Sequence, residues 1–139
     1  MSYPAWWNKD ITLYNRYEGK DGAVKWYKSI ISGCFVKNIP SYKVSSGKGA
    51  LGSQNIVRIQ KSDKYMPPEE WTEAQYRELS FTLNGGDIVI IGNISDSIDE
   101  YEKGRRSSDI LQKYNTRSFV VGSVSVNDFG SLAHYMISG

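Results

Sequence analysis

Ile11-Thr12-Leu13-Tyr14-Asn15-Arg16-Tyr17 is followed by Gly19-Lys20-Asp21-Gly22, and then by a long run from Val24 to Val36. Ile11 and Leu13 fall on one face of an extended chain, which is the two-residue period of a half-buried strand. The two glycines supply the positive backbone angles that tight hairpin turns demand. The run after them keeps its apolar character through Ile30, Ile31, Cys34, Phe35 and Val36, with Gly33 placed to make a bulge or bend. A hairpin whose strands continue well past the turn is therefore expected at the start of the fold.

Working outward, Ile56-Val57-Arg58-Ile59 reads as a further strand. Pro67-Pro68 opens a helix expected over about 69–79, because proline suits a first helical turn and Glu69, Glu70 and Glu73 complement the positive end of its dipole. Its apolar face is thin, consisting of Trp71, Ala74 and Leu79, as in a short docked helix. Asn84-Gly85-Gly86-Asp87 is a turn signal, and Ile88-Val89-Ile90-Ile91 behind it is apolar at every position, as in a strand covered on both faces. A polar loop is expected over 95–108, then a helix over about 109–114, with Asp109 and Gln112 at capping-box-like spacing. Two last strands, 118–126 and 132–137, are joined at Asn127-Asp128-Phe129-Gly130. Strands linked mainly by hairpins, with two short helical inserts, point to a mainly β chain: one antiparallel barrel or sandwich domain over 1–139.

Residues 41–54 stand apart. Four are Ser, three are Gly and two are Lys, and only Tyr42, Val44, Ala50 and Leu51 could pack. Such a segment buries too little apolar area to offset its ordering entropy, so it is expected as a long flexible loop between strands. Within it Gly47-Lys48-Gly49-Ala50-Leu51-Gly52 matches the dinucleotide fingerprint letter for letter. That chemistry needs a helix N-terminus directly after the glycines, whereas a strand is expected there. The motif is read as loop, and no cofactor is expected.

Ten Tyr and four Trp in 139 residues give large contact area at low rotamer cost, suited to a small β core or to an interface. With 17 basic and 15 acidic residues the net charge is +2, too balanced to indicate nucleic-acid binding by composition. The single cysteine, Cys34, sits in an apolar run and reads as a buried inert thiol. The single histidine, His134, alternates with apolar neighbours and reads as exposed or interfacial. One Cys and one His cannot make a Cys/His zinc site within one chain, and the acidic cluster Asp96, Asp99, Glu100 and Glu102 lacks calcium-loop spacing. Neither catalytic nor metal residues are expected. No apolar run reaches membrane-spanning length, and the N-terminal stretch lacks the features of a signal peptide, so a cytoplasmic protein, or part of an assembly built there, is expected.

Several pieces together resemble a family of small structural proteins encoded in the head–tail module of tailed bacteriophages and prophages. They are Trp7 through Tyr17, Trp26-Tyr27-Lys28-Ser29, Phe81 through Gly92, Phe119 through Val124, and Leu132 through Gly139. The resemblance implies a neck subunit similar to head-completion or stopper proteins, a connector located in the virion and assembled in the bacterial host cytoplasm. It further implies a homo-oligomeric ring of about six or twelve subunits between portal or adaptor and tail proteins, with no membrane partner. Genomic DNA would pass through the channel without sequence-specific binding. Candidate contact residues are Tyr42, Lys43, Lys48 and Leu51 in the segment 41–54, the pair Trp6 and Trp7, and His134 with Tyr135. The alternatives are a tail terminator or other tail-end ring, and a small nucleic-acid-binding β-barrel.

Overall fold

In the computed structural model β1 (Lys9–Glu18) turns through Gly22, at φ +83°, into β2 (Val24–Ser45), and the two pair antiparallel from Glu18↔Val24 to Lys9↔Cys34. The structure describes residues 3–45, 48–75, 77–128 and 130–139, and among these the side chains of 39–53 and of Ser131 are not described. Between Ile11↔Ile31 and Lys9↔Cys34 the register slips, with three steps on β2 set against two on β1. Gly33 occupies that bulge at φ +72°, a conformation that a Cβ would strain. The expected bend is there, and beyond it β2 leaves β1 and pairs with β3 (Lys48–Gln60) instead.

One strand thus serves two sheets. In the first, β2 adjoins β1, then β4 (Ile88–Ile91), then β5 (Ser118–Val120). In the second it adjoins β3, then β7 (His134–Ser138), then β6 (Ser123–Asn127). Every pairing of these strands is antiparallel. The end members β5 and β6 are chain neighbours joined by Val121-Gly122, so the strand order curls back on itself as a barrel-like sandwich. Gly122 N–H donates to Ser138 O at 2.7 Å, fastening the seam. The run 118–126, expected as one strand, is therefore two strands at opposite ends of the order.

The principal core lies between the sheets, with Ile11 and Leu13 of β1, Val57 and Ile59 of β3, Val89 of β4 and Ile137 of β7 all fully buried. The other face of the first sheet buries Tyr14, Ile88 and Ile90 beneath Ile94, Ile98 and Ile110. Odd and even positions of Ile88–Ile91 thus enter different cores, which is why no polar residue interrupts that strand. The covering helix, α2 (Ser107–Lys113), begins two residues earlier than expected. Its Asp109 carboxylate accepts the Arg106 N–H at 3.2 Å, so Asp109 serves the third helical position and Arg106 flanks the helix.

Two further expectations are corrected. The helix over 69–79 is only α1 (Pro68–Thr72), followed by a separate 3-10 turn, Arg77–Leu79. Trp71 is buried while Leu79 is 71 % exposed, so no apolar stripe holds a longer helix down. The Arg77 guanidinium also donates back to the Thr72 carbonyl, satisfying the helix end. Of the segment 41–54, expected as a loop, the described residues 41–45 and 48–54 instead belong to β2 and β3, paired from Ser41↔Gly52 to Ser45↔Lys48. Backbone pairing there needs no apolar side chains, which is why a composition poor in them misled.

Candidate functional site

The candidate contact residues fall into two groups. Tyr42, Lys43, Lys48 and Leu51 lie on the outer hairpin strands, paired as Tyr42↔Leu51, Lys43↔Ala50 and Ser45↔Lys48, and their side chains lie outside the described residues. Of the Gly47–Gly52 motif, Lys48 through Gly52 run in strand β3 with no helix after them, so the phosphate cradle is missing, and Gly47 lies outside the described residues.

The second group gathers at the N-terminal arm. Trp7 is buried, stacked on Tyr3 at 5.1 Å between ring centroids and set edge-on to His134 at 5.5 Å. Tyr3 donates to the Ala133 carbonyl and accepts the Lys61 N–H at 3.1 Å, clamping the arm onto the second sheet. Trp6, next door, is 66 % exposed. The tryptophan pair is thus divided, with Trp7 part of the fold and Trp6 left at the surface. Tyr135 is buried as well, its ring stacked on Tyr65 at 4.2 Å under the Lys61 ammonium at 4.4 Å. Burial raises the hydroxyl pKa of both tyrosines, and the salt bridge from Lys61 to Asp128 raises that of Lys61.

His134 is half-buried and committed. Its Nδ1 meets the Leu132 carbonyl at 2.6 Å, while its Nε2 lies 2.8 Å from Arg58 Nη1 and 3.2 Å from Asn127 Nδ2. With the ring hydrogen on Nδ1, Nε2 accepts from both donors and has no lone pair to spare for general-base work. Cys34 is buried, and burial, with Asp10 adding to it, pushes its thiol up to about 12, so it stays protonated at neutral pH.

The acidic loop is locally satisfied. Asp99 accepts the Tyr101 N–H at 2.9 Å, Glu100 the Ser107 N–H at 2.5 Å, and Glu102 pairs with Arg105 at 2.5 Å. Asp96 accepts from Tyr114 Oη at 2.6 Å and Lys113 Nζ at 2.9 Å, and these bonds hold its carboxyl below the usual range. Among the described residues no group of three or more His, Cys, Asp or Glu side chains is placed to hold a metal ion. Among the described residues no helix is long and apolar enough to cross a membrane.

Two arrangements escaped sequence reasoning. Asp87, read as a turn residue, is a buried carboxylate that accepts from Asn15 Nδ2, Arg16 N and Asn84 N, each at 2.9 Å. Asn15 also donates to the Thr82 carbonyl at 2.6 Å, so the pair locks the segment that precedes the 84–87 turn onto β1. The other is an aromatic cluster in which Tyr17 and Tyr27 meet the Trp71 ring edge-on, with Arg77 3.9 Å above Tyr17. It fastens α1 over the first hairpin. The only hint in the sequence was the thin apolar face that left Trp71 as the helix's single large buried residue.

A family described as a family of unknown function, DUF6751, matches residues 6–139. The chain belongs to that family. The match leaves out only the first five residues, so this DUF6751 member carries the family pattern from the exposed Trp6 through the strand that closes the barrel seam. No curated protein and no solved structure matches the chain.

Proposed function

We propose that this DUF6751 protein is a ring subunit of the neck of a tailed-phage virion, a head–tail connector or stopper that acts through protein–protein contacts. The observation that carries the reading is the outer β2–β3 hairpin. Seven residue pairs, Ile39↔Gln54 through Ser45↔Lys48, run past Asn55, where the β7 side of the sheet stops. Among the described pairings no third strand accompanies them, and at roughly 3.3 Å per residue they extend over about 20 Å. An isolated two-stranded ribbon is marginal in water, so a hairpin of this length gains stability from a neighbouring subunit.

Other features agree. Val120, Val126 and Leu132 are exposed apolar side chains near the ends of the strand order, and Trp6 is exposed on the N-terminal arm, so a ring contact would bury apolar surface there. The chemistry-bearing residues are spent on structure, with His134 bonded on both ring nitrogens, Cys34 buried and Asp87 filled by three donors. A contact joining unlike surfaces of identical subunits closes into a ring when its rotation allows. In that arrangement Lys43 and Lys48 lie toward a channel that passes DNA by charge alone.

Native mass spectrometry and electron microscopy of the full chain test the reading, with closed rings of about six or twelve subunits expected. Antibody labelling of particles then places the rings at the neck or, for the terminator alternative, at the tail end. A monomer that binds DNA with steep salt dependence and is absent from particles would favour the nucleic-acid alternative and end this one.

A further inference from the structure

The first sheet has an unpaired edge inside the molecule. In β1, Arg16 N–H goes to Asp87 and Asp10 O accepts from Gly92 N–H at 2.8 Å, so its even-numbered residues turn their backbone groups toward β4. Its odd-numbered residues therefore face β2, and their partners there are Lys25, Tyr27, Ser29 and Ile31. Trp26, Lys28 and Ile30 then point their N–H and C=O groups away from β1. Val24, of the same parity, confirms this by donating outward to Tyr101 Oη at 2.9 Å. Pairing with β3 begins only at Phe35↔Arg58, because β2 and β3 diverge at the Gly33 bulge. Among the described residues no hydrogen bond reaches the backbone of Trp26, Lys28 or Ile30 from that side.

The gap is a groove of about 550 Å³ between Lys28–Ser32, the residues Gln60–Ser62 with Lys64, and the turn at Glu78–Phe81. Gln60 Nε2 donates to the Gly33 carbonyl at 2.9 Å and shuts its upper end. Its apolar contacts are Ile31 and Phe81 below and the exposed Ile30 and Leu79 at the rim. Its charged residues are Lys28, Lys61 and Lys64 against Glu78, with Lys61 already held by Asp128 and Lys28 also in the field of Asp96, which Lys113 already pairs. Lys28 and Lys64 thus outnumber Glu78.

We infer that this groove takes an extended acidic segment of a partner protein as an added strand on the edge of β2. Backbone pairing to Trp26, Lys28 and Ile30 supplies the register, and side chains alternate between the apolar floor and the lysines. The inference is independent of the neck reading, since an edge of this kind recruits an extended segment whatever the assembly. Charge selects an acidic occupant over another copy of the β2–β3 hairpin, whose outer strands carry Lys43 and Lys48 and no acidic residue.

The test is a titration of ¹⁵N-labelled full chain with acetyl-Val-Glu-Val-Glu-Val-Glu-amide, and separately with the same peptide carrying Lys in place of Glu. Saturable shifts and slowed exchange at the Trp26, Lys28 and Ile30 amides are expected with the acidic peptide and not with the basic one. Ile30→Pro deletes an outward N–H without touching a β1 bond, and should weaken binding at least tenfold while the β1 amides keep their shifts. Should proline disturb the strand, Lys28→Glu with Lys64→Glu provides the second arm, and the preference should then pass to the basic peptide. The inference is overturned if these amides stay unmoved at millimolar acidic peptide or are already protected in the free chain. Equal binding of both peptides, or concentration-dependent exchange protection arising without peptide at the Trp26, Lys28 and Ile30 amides, which would mark a second copy in the groove, overturns it as well.

Discussion

Asp87 shows how one side chain sets a pH dependence. Burial, outweighing the three donors that favour its ionised form, pushes the carboxyl up to about 6. The folded chain therefore holds the proton more tightly than the unfolded chain does. The stability this contributes is complete below about pH 4 and is lost as pH rises through about 6, a change of about 3 kcal/mol. Asp87→Asn cannot ionise, and its amide leaves one of the three donors without an acceptor, costing about 1–3 kcal/mol. Urea unfolding between pH 4 and pH 7 should therefore show the wild-type advantage shrinking by about 3 kcal/mol across that range. Two parallel stability curves would show that Asp87 titrates alike folded and unfolded. The sequence marked Asp87 as a turn residue, correctly, because turn chemistry is local. Its burial against Asn15 depends on a residue 72 positions away in the chain, which no local pattern reports.

Strand β2 carries most of what the elements decide. Its composition announced a strand with a glycine break, since alternation and glycine are local signals. The consequence of the break, a strand that moves from one sheet to the other and opens a groove, needed β3 in place. Gly33→Ala tests the bend directly. The new Cβ would lie 2.5 Å from Gln60 Nε2, and φ of +72° disfavours any L side chain. The strain together with the loss of the Gln60 bond to the Gly33 carbonyl should cost about 2–3 kcal/mol, read as a lower urea midpoint at unchanged slope. A loss below half a kcal/mol would mean that the bend is not held by glycine. The helix over 69–79 failed for a related reason: its proline start and first-turn Glu69 and Glu70 are in place, but its length depends on an apolar stripe, and Leu79 turns to solvent.

At the scale of the molecule, folding and assembly separate along the chain. The described core draws on β2 no further than Val36 and on β3 only from Val57, while the hairpin runs on to Ser45 and Lys48. The seam lies elsewhere, where Gly122 meets Ser138, and Gly139 extends the β3–β7 ladder by exchanging backbone bonds with Asn55 at 2.8 and 3.1 Å. Deleting residues 43–52, with an Asn-Gly turn in their place, removes paired backbone but no described core side chain. Shortening a hairpin alters the loop-closure cost only slowly, so stability should change by about 1 kcal/mol or less. The amides of β1, β4 and β7 should keep their exchange protection. On the proposed reading assembly should fail none the less, because the strands that would pair with a neighbour are gone, and native mass spectra should show monomers for the variant and rings for the intact chain. Rings of normal size from the shortened chain would mean that subunits join through the barrel itself, through surfaces such as Trp6 and Val126, and that the hairpin serves another purpose.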